Sequence, residues 1–176
     1  WLAEVVPDIN GTRVLDLACG SGPLLKILQD RNKNFKLKGV DMCGEELSLA
    51  KARMSDGVVD LFQLEAQNLT AIKNASIDIV LCHWALTLMD PISPVLKEVN
   101  RILSSGGKFA ALVNGPMNTA PGYLDVYNLI YKHVQTKLPN YGKIDLGDPR
   151  IRSTKSLERL VGEAFPSAEV SIENNV

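Results

Sequence analysis

The feature that most limits the fold of this 176-residue chain is an alternation: short runs rich in Val, Ile and Leu, separated by segments whose apolar residues recur at helical spacing. The runs are Arg13 to Ala18, Leu37 to Met42, Leu61 to Glu65, Ile77 to Cys82, Phe109 to Val113 and Ala168 to Ile172. Val14 to Leu17 and Ile77 to Leu81 are nearly continuous in apolar character, as expected of central strands covered on both faces. Val95, Leu96, Val99, Ile102 and Leu103 fall at i, i+1, i+4, i+7 and i+8, which predicts a helix running into Gly106 and Gly107 as a left-handed cap. Leu157, Leu160, Val161, Ala164 and Phe165 repeat the pattern after the capping candidates Ser153 and Thr154. Pro23 suits the first turn of a helix carrying Leu24, Leu25, Ile27 and Leu28. Strand, helix, strand, helix implies parallel pairing with helices on both faces. The expectation is therefore α/β: a doubly wound, mostly parallel sheet in a single domain over residues 1–176.

Composition narrows what such a domain could do. With 45% hydrophobic and 22% charged residues the chain is neither disordered nor collagen-like, and at this length a domain buries about 70% of its unfolded surface. The uncharged, mostly apolar stretch Ile79 to Met89 contains His83 and is far short of the roughly 20 apolar residues of a membrane helix. A soluble protein without a membrane partner is expected. Basic and acidic residues number 9 and 11 in residues 1–88 and 10 and 9 in the remainder, so bulk charge offers nucleic acid no binding field.

Cys19, Cys43 and Cys82 are too few and too widely spaced for a disulfide framework or a CxxC metal site, which favours a reducing, cytoplasmic compartment and no metal. The basic stretch Arg31 to Lys38 reads as a solvated surface, and Pro139 to Arg152 as a long loop. Leu124, Tyr127, Tyr131, Val134 and Leu138 form a helical stripe suited either to the core or to an apolar substrate wall near Asn114 and Met117.

Ligands of open parallel sheets bind beyond the carboxyl ends of the strands, where the strand order reverses. The first strand here runs into VLDLACGSGPLL, Val14 to Leu25. Gly20 and Gly22 allow close approach of backbone to a ligand, and the helix opening near Pro23 points its N-terminus there. A plain strand-to-helix turn would use the same glycines. A dinucleotide GxGxxG would require a third Gly where Leu25 stands, and Asp16 lies four residues ahead of Gly20. A carboxylate beside a pyrophosphate repels it, whereas beside an ammonium or sulfonium it attracts. The segment suits a cationic adenosine derivative better than NAD. Asp41 ends the second strand at the spacing of an acidic residue that accepts from ribose hydroxyls; a surface Asp at a strand end is the alternative.

Together VLDLACGSG, GVDM, LEAQNL, IDIVLCHWAL and LKEVNRILSSGGKFAALV, in this order, resemble the class I S-adenosylmethionine-dependent methyltransferases, in particular small-molecule enzymes with the ubiquinone-biosynthesis type of domain. The resemblance spans Val14 to Val113 and resumes weakly from Arg150 to Ile172. It implies a Rossmann-like fold whose loop from Ala18 through Cys19 and Gly20 to Gly22 wraps the methionine part of S-adenosyl-L-methionine, with Asp16 near the amino group. Asp41 would hold the ribose, Met42 one adenine face, Glu65 the adenine amine and the Ala66 N–H a ring nitrogen. Cys82, His83 and Trp84 would line the methionine end and the route to the acceptor. Family members often carry Gly at position 18 and Asp at position 65.

His83 would be either a general base or a packing residue, and Trp84 either a pocket wall or loop packing. The reaction expected is in-line displacement of the methyl onto a small-molecule or otherwise restricted acceptor. CHWA in place of an NPPY-type tetrapeptide argues against an adenine or glutamine amide as that acceptor. The alternatives are a catalytically idle cofactor-binding partner subunit and a nucleotide-linked oxidoreductase. A seventh, antiparallel strand has no room after Ile172, the first residue is Trp1, and no leader is visible, so the chain reads as an excerpt with an incomplete acceptor site.

Overall fold

The computed structural model describes residues 1–54, 57–114, 121–139 and 147–173. Five strands, β1 (Arg13–Leu17), β2 (Lys36–Asp41), β3 (Val59–Gln63), β4 (Ile77–His83) and β5 (Leu103–Leu112), form one sheet in the order β3-β2-β1-β4-β5. All four pairings are parallel. The chain steps outward from β1 to β2 to β3, then returns to the other side of β1, so the order reverses between β1 and β4.

Alternation along β1 sends Leu15 and Leu17 to one face and Val14 to the other. The first face is covered by α3 (Ile92–Ile102) and α5 (Thr154–Ala164), the second by α1 (Pro23–Arg31) and α2 (Gly44–Arg53). On α3, Val95, Leu96, Val99 and Ile102 are at most 1% exposed, each contributing about 1.5–3 kcal/mol of burial. α1 starts with Pro23 at its first turn, as its sequence predicts.

The close approach of α1 to the sheet comes from a residue on a neighbouring strand. A Cβ at Gly39 of β2 would lie 2.8 Å from Leu25 Cδ1, and Gly39 is the register partner of Asp16. Leu25, fully buried, thus fills the space over Gly39, where a dinucleotide fold would use a glycine on the helix instead.

Two sequence expectations are corrected. α3 ends at Ile102 with Leu103 in extended conformation, because Leu103 is already paired with Ile77 as β5 begins. Gly106, at φ +74°, therefore lies within β5 at its irregular start rather than capping the helix. Ala168 to Ile172 joins no strand of the sheet; Val170 and Ile172 are 40% and 37% exposed, and an extended segment without a ladder partner is not a strand. Of the two alternatives for the stripe that runs along α4 (Tyr123–Gln135), the structure excludes the core: Leu124 and Leu138 are exposed, and Tyr127, Tyr131 and Val134 are half-buried. Pro149–Arg152 of the expected long loop forms a 3-10 turn. Met117 lies outside the described residues. No helix among the described residues is long and apolar enough to cross a membrane.

Candidate functional site

The loop after β1 is held in conformations that leave its backbone pointing outward. Ala18, Gly20 and Gly22 have φ of +58°, +52° and +74°. For Ala18 this is the left-handed region at a cost of roughly 1–2 kcal/mol, a strain tolerated where the surrounding hydrogen bonds over-determine the turn. Those bonds are Cys19 N–H to the Val40 carbonyl at 2.9 Å and Gly22 N–H to the Cys19 carbonyl at 3.0 Å. Gly22 is also required by α2, since a Cβ there would lie 2.8 Å from Met54 Cε and 3.1 Å from Ala50 Cβ.

Asp41, at the end of β2, ties this loop to the start of α2. Its Oδ2 accepts from Gly20 N–H at 2.8 Å and its Oδ1 from Cys43 N–H at 2.9 Å. Each carboxylate oxygen keeps a second lone pair for a ligand. Asp16 lies behind, 1% exposed, with no donor to its Oδ1. Burial and then the Asp41 charge push its carboxyl up to about 8. A buried carboxyl whose oxygen finds no partner inside the protein is satisfied by an external donor or cation.

Beyond the ends of β1, β2 and β3 lies a cavity of about 280 Å³ lined by Ala18, Val40, Asp41, Met42, Leu64, Glu65, Ala66, Gln67, Leu88, Met89 and Asp90. Five residues singled out in the sequence, Ala18, Asp41, Met42, Glu65 and Ala66, thus line one cavity. Asp41 joins this cavity to Asp16 and Gly20. Met42 is 71% exposed at the rim. A larger open groove of about 500 Å³ under Met54, Val59 and Phe62 lies along the β3 edge and includes none of the singled-out residues.

Cys19 and Cys82 are buried, and burial followed by the Asp16 charge pushes both thiols up to about 12, so at neutral pH they are uncharged. His83 and Trp84 are exposed at the end of β4, with parallel rings 5.7 Å apart. Trp84 takes φ +58° and donates its N–H to the Leu112 carbonyl at 3.0 Å. A positive φ at so bulky a residue is a genuine outlier, held here by the junction of β4 and β5. Among the described residues no group of three His, Cys, Asp or Glu side chains could hold a metal.

Two parts of the site escape sequence reasoning. Glu46 Oε2 lies 3.7 Å from where a Cβ at Gly20 would stand, adding another carboxylate to the loop; its only sequence signal is its place just after Asp41. The segment carrying Glu65 and Ala66 is fastened to α3 by Glu98 and Arg101. Glu98 accepts from Leu69 N–H at 2.8 Å, while Arg101 donates to the Leu69 and Ile72 carbonyls at 2.9 and 3.0 Å. Arg101 in turn holds the Glu98 carboxyl below its usual range.

A family profile described as a methyltransferase domain matches residues 15–111, more than half of the chain. The chain belongs to this family. It is a class I S-adenosylmethionine-dependent methyltransferase domain, with the parallel sheet, flanking helices and glycine loop of that fold. It is 26% identical over 147 residues to a demethylmenaquinone methyltransferase of Thermotoga maritima, covering 84% of this chain and 62% of that protein. It is 29% identical over 117 residues to a ubiquinone biosynthesis O-methyltransferase of Pseudomonas aeruginosa, covering 65% of this chain and 49% of that one. Among solved structures, an S-adenosylmethionine-dependent methyltransferase from Listeria monocytogenes superposes with a TM-score of 0.59 at 30% identity, over 69% of this chain and 54% of that one. A methyltransferase solved with the Haloferax volcanii Trm112 activator shares the fold at a TM-score of 0.70 and 23% identity, over 93% and 65% of the two chains. The methyltransferase domain described here spans less than two thirds of the length of these relatives.

Proposed function

We propose that the domain binds S-adenosyl-L-methionine and transfers its methyl group to a small-molecule acceptor, with a quinone-type ring as the leading candidate. The observation that carries this reading is the partnerless Asp16 carboxyl behind an Asp41 already committed to Gly20 and Cys43. That arrangement repels phosphate and suits a ligand with an ammonium group and a ribose. S-adenosylmethionine, when bound, supplies an electrophilic methyl on a sulfonium sulfur.

The chain's own residues bind and orient. Asp16 faces the amino group, Asp41 accepts from the ribose hydroxyls, Glu65 accepts from the adenine amine and the Ala66 N–H meets a ring nitrogen. Met42 covers one adenine face, while Leu88 and Met89 lie across the same cavity. The loop from Ala18 through Cys19 and Gly20 to Gly22 encloses the methionine part, with Cys82 buried beneath it and Trp84 forming the acceptor-side wall. His83, exposed beside that wall, takes the acceptor's proton. The small-molecule reading also draws support from the two quinone-pathway relatives. Three free thiols, Cys19, Cys43 and Cys82, favour a reducing, cytoplasmic setting.

The test is transfer of labelled methyl from S-adenosylmethionine to a panel of short-chain demethylated quinols and catechols and to a metabolite extract. Label in a quinol or another small molecule is expected. Tight cofactor binding with no labelled product from any source would instead establish an idle partner subunit.

A further inference from the structure

Leu88, Met89 and Asp90 line the same cavity as Glu65, and what holds this segment is remote in sequence. Asp148 donates its N–H to the Met89 carbonyl at 3.0 Å. Its side chain, 5% exposed, accepts from Arg150 N–H at 3.0 Å and from Arg150 Nε at 2.9 Å. Through this side chain Asp148 is the N-cap of the 3-10 turn Pro149–Arg152. The carboxylate thus fixes its own turn and with it the backbone N–H that holds the Leu88–Asp90 segment at Met89, 59 positions earlier in the chain.

Neighbouring residues close the same contact. Gly147 runs directly over the 3-10 turn Leu86–Leu88: a Cβ there would lie 2.7 Å from the Thr87 carbonyl carbon and 2.9 Å from that of Leu88. Ile151, 2% exposed, anchors the far side in the core. Arg150 reaches Ser93 Oγ at 3.5 Å on the first turn of α3. The pairing holds the Asp148 carboxyl down to about 2, so it is ionised throughout the range in which the protein is handled.

We propose that Asp148 is a positioning residue for the nucleoside cavity: through Met89 it fixes the Leu88–Asp90 wall against which the adenosine half of the ligand rests. This rests on the reading that the cavity takes an adenosyl ligand. The carboxylate itself touches no ligand. Its effect falls on the nucleoside half alone, because the methionine half is held by the loop after β1.

The experiment compares binding of S-adenosylhomocysteine and 5′-methylthioadenosine, which lacks the amino-acid part, to the wild-type chain and to Asp148→Asn. Affinity for both ligands should fall by the same factor, about tenfold. Leu28→Ala, a buried substitution on the opposite face of the sheet, should lower thermal stability while leaving both affinities within twofold of wild type. Arg150→Gln, at an exposed guanidinium, keeps the question answerable if Asp148→Asn does not fold, and should weaken both ligands about threefold. Unchanged affinities in Arg150→Gln and in folded Asp148→Asn, or a loss confined to S-adenosylhomocysteine, overturn the proposal while leaving the adenosyl reading intact. Failure of the wild-type chain to bind either ligand overturns the adenosyl reading and this inference with it.

Discussion

Replacing Asp16 by Asn removes a titration that destabilises the folded chain at neutral pH. The carboxyl ionises near 3.8 when solvated and at about 8 in the folded chain, chiefly through burial and then through Asp41. The folded state therefore keeps a proton that the unfolded chain has already released. The stability this group contributes is fully present below pH 3.8 and is lost as pH rises toward 8. Each pH unit in that window costs about 1.4 kcal/mol, so from pH 5 to pH 8 the wild-type chain loses about 4 kcal/mol that Asp16→Asn does not lose. The buried amide has a constant cost of its own, about 1–3 kcal/mol if one of its groups stays unpaired; this offsets the two curves without tilting them. Urea unfolding at pH 5, 6, 7 and 8 for both proteins measures the difference directly, at unchanged m value. The predicted result is a gap that changes by about 4 kcal/mol in favour of the variant as pH rises. Parallel curves would show that Asp16 ionises normally and would remove the basis for an external cation at this carboxylate.

Other consequences are equally open to test. Asp41→Asn weakens the charge-assisted bonds to Gly20 and Cys43 and, on the proposed function, the one to the ribose, so S-adenosylhomocysteine affinity measured by calorimetry should fall roughly 10- to 100-fold. Arg101→Ala releases the Leu69 and Ile72 carbonyls and leaves Glu98 without its guanidinium; chemical denaturation should register a loss of about 2–3 kcal/mol. His83→Gln should reduce kcat about 100-fold or more on a hydroxyl acceptor, with the KM for S-adenosylmethionine unchanged. An unaltered kcat would reduce His83 to a wall residue.

The parts of this fold that were legible in the sequence are those whose stability is local or fully buried. β1 and β4 show as apolar runs because both their faces are covered, and α3 shows because its buried stripe repeats at 3.6 residues. Asp41 could be found because it ends β2 at the spacing of a ribose acceptor, whereas Glu65 and Ala66 were reached only through the resemblance of their segment to the methyltransferases. What escaped depends on partners far along the chain. The early start of β5 is set by the pairing of Leu103 with Ile77, which overrides the cap expected at Gly106. Ala168 to Ile172 has strand composition without a strand beside it. Glu98 and Arg101, at i and i+3, look in sequence like an ordinary surface pair, yet they bind a loop about 30 residues away through its backbone. Nothing near Asp148 in sequence signals that its backbone N–H holds the Met89 carbonyl. The stripe on α4 was visible, but its periodicity carries no information about whether anything covers it.

The most direct test of the central claim is isothermal titration of the chain with S-adenosylhomocysteine and with NADH, run at pH 7 in two buffers of different ionisation enthalpy. The account predicts binding of S-adenosylhomocysteine with release of close to one proton, because an ammonium beside Asp16 displaces the proton that burial had kept there, and no binding of NADH. Binding of NADH, or of S-adenosylhomocysteine without proton release, would contradict it.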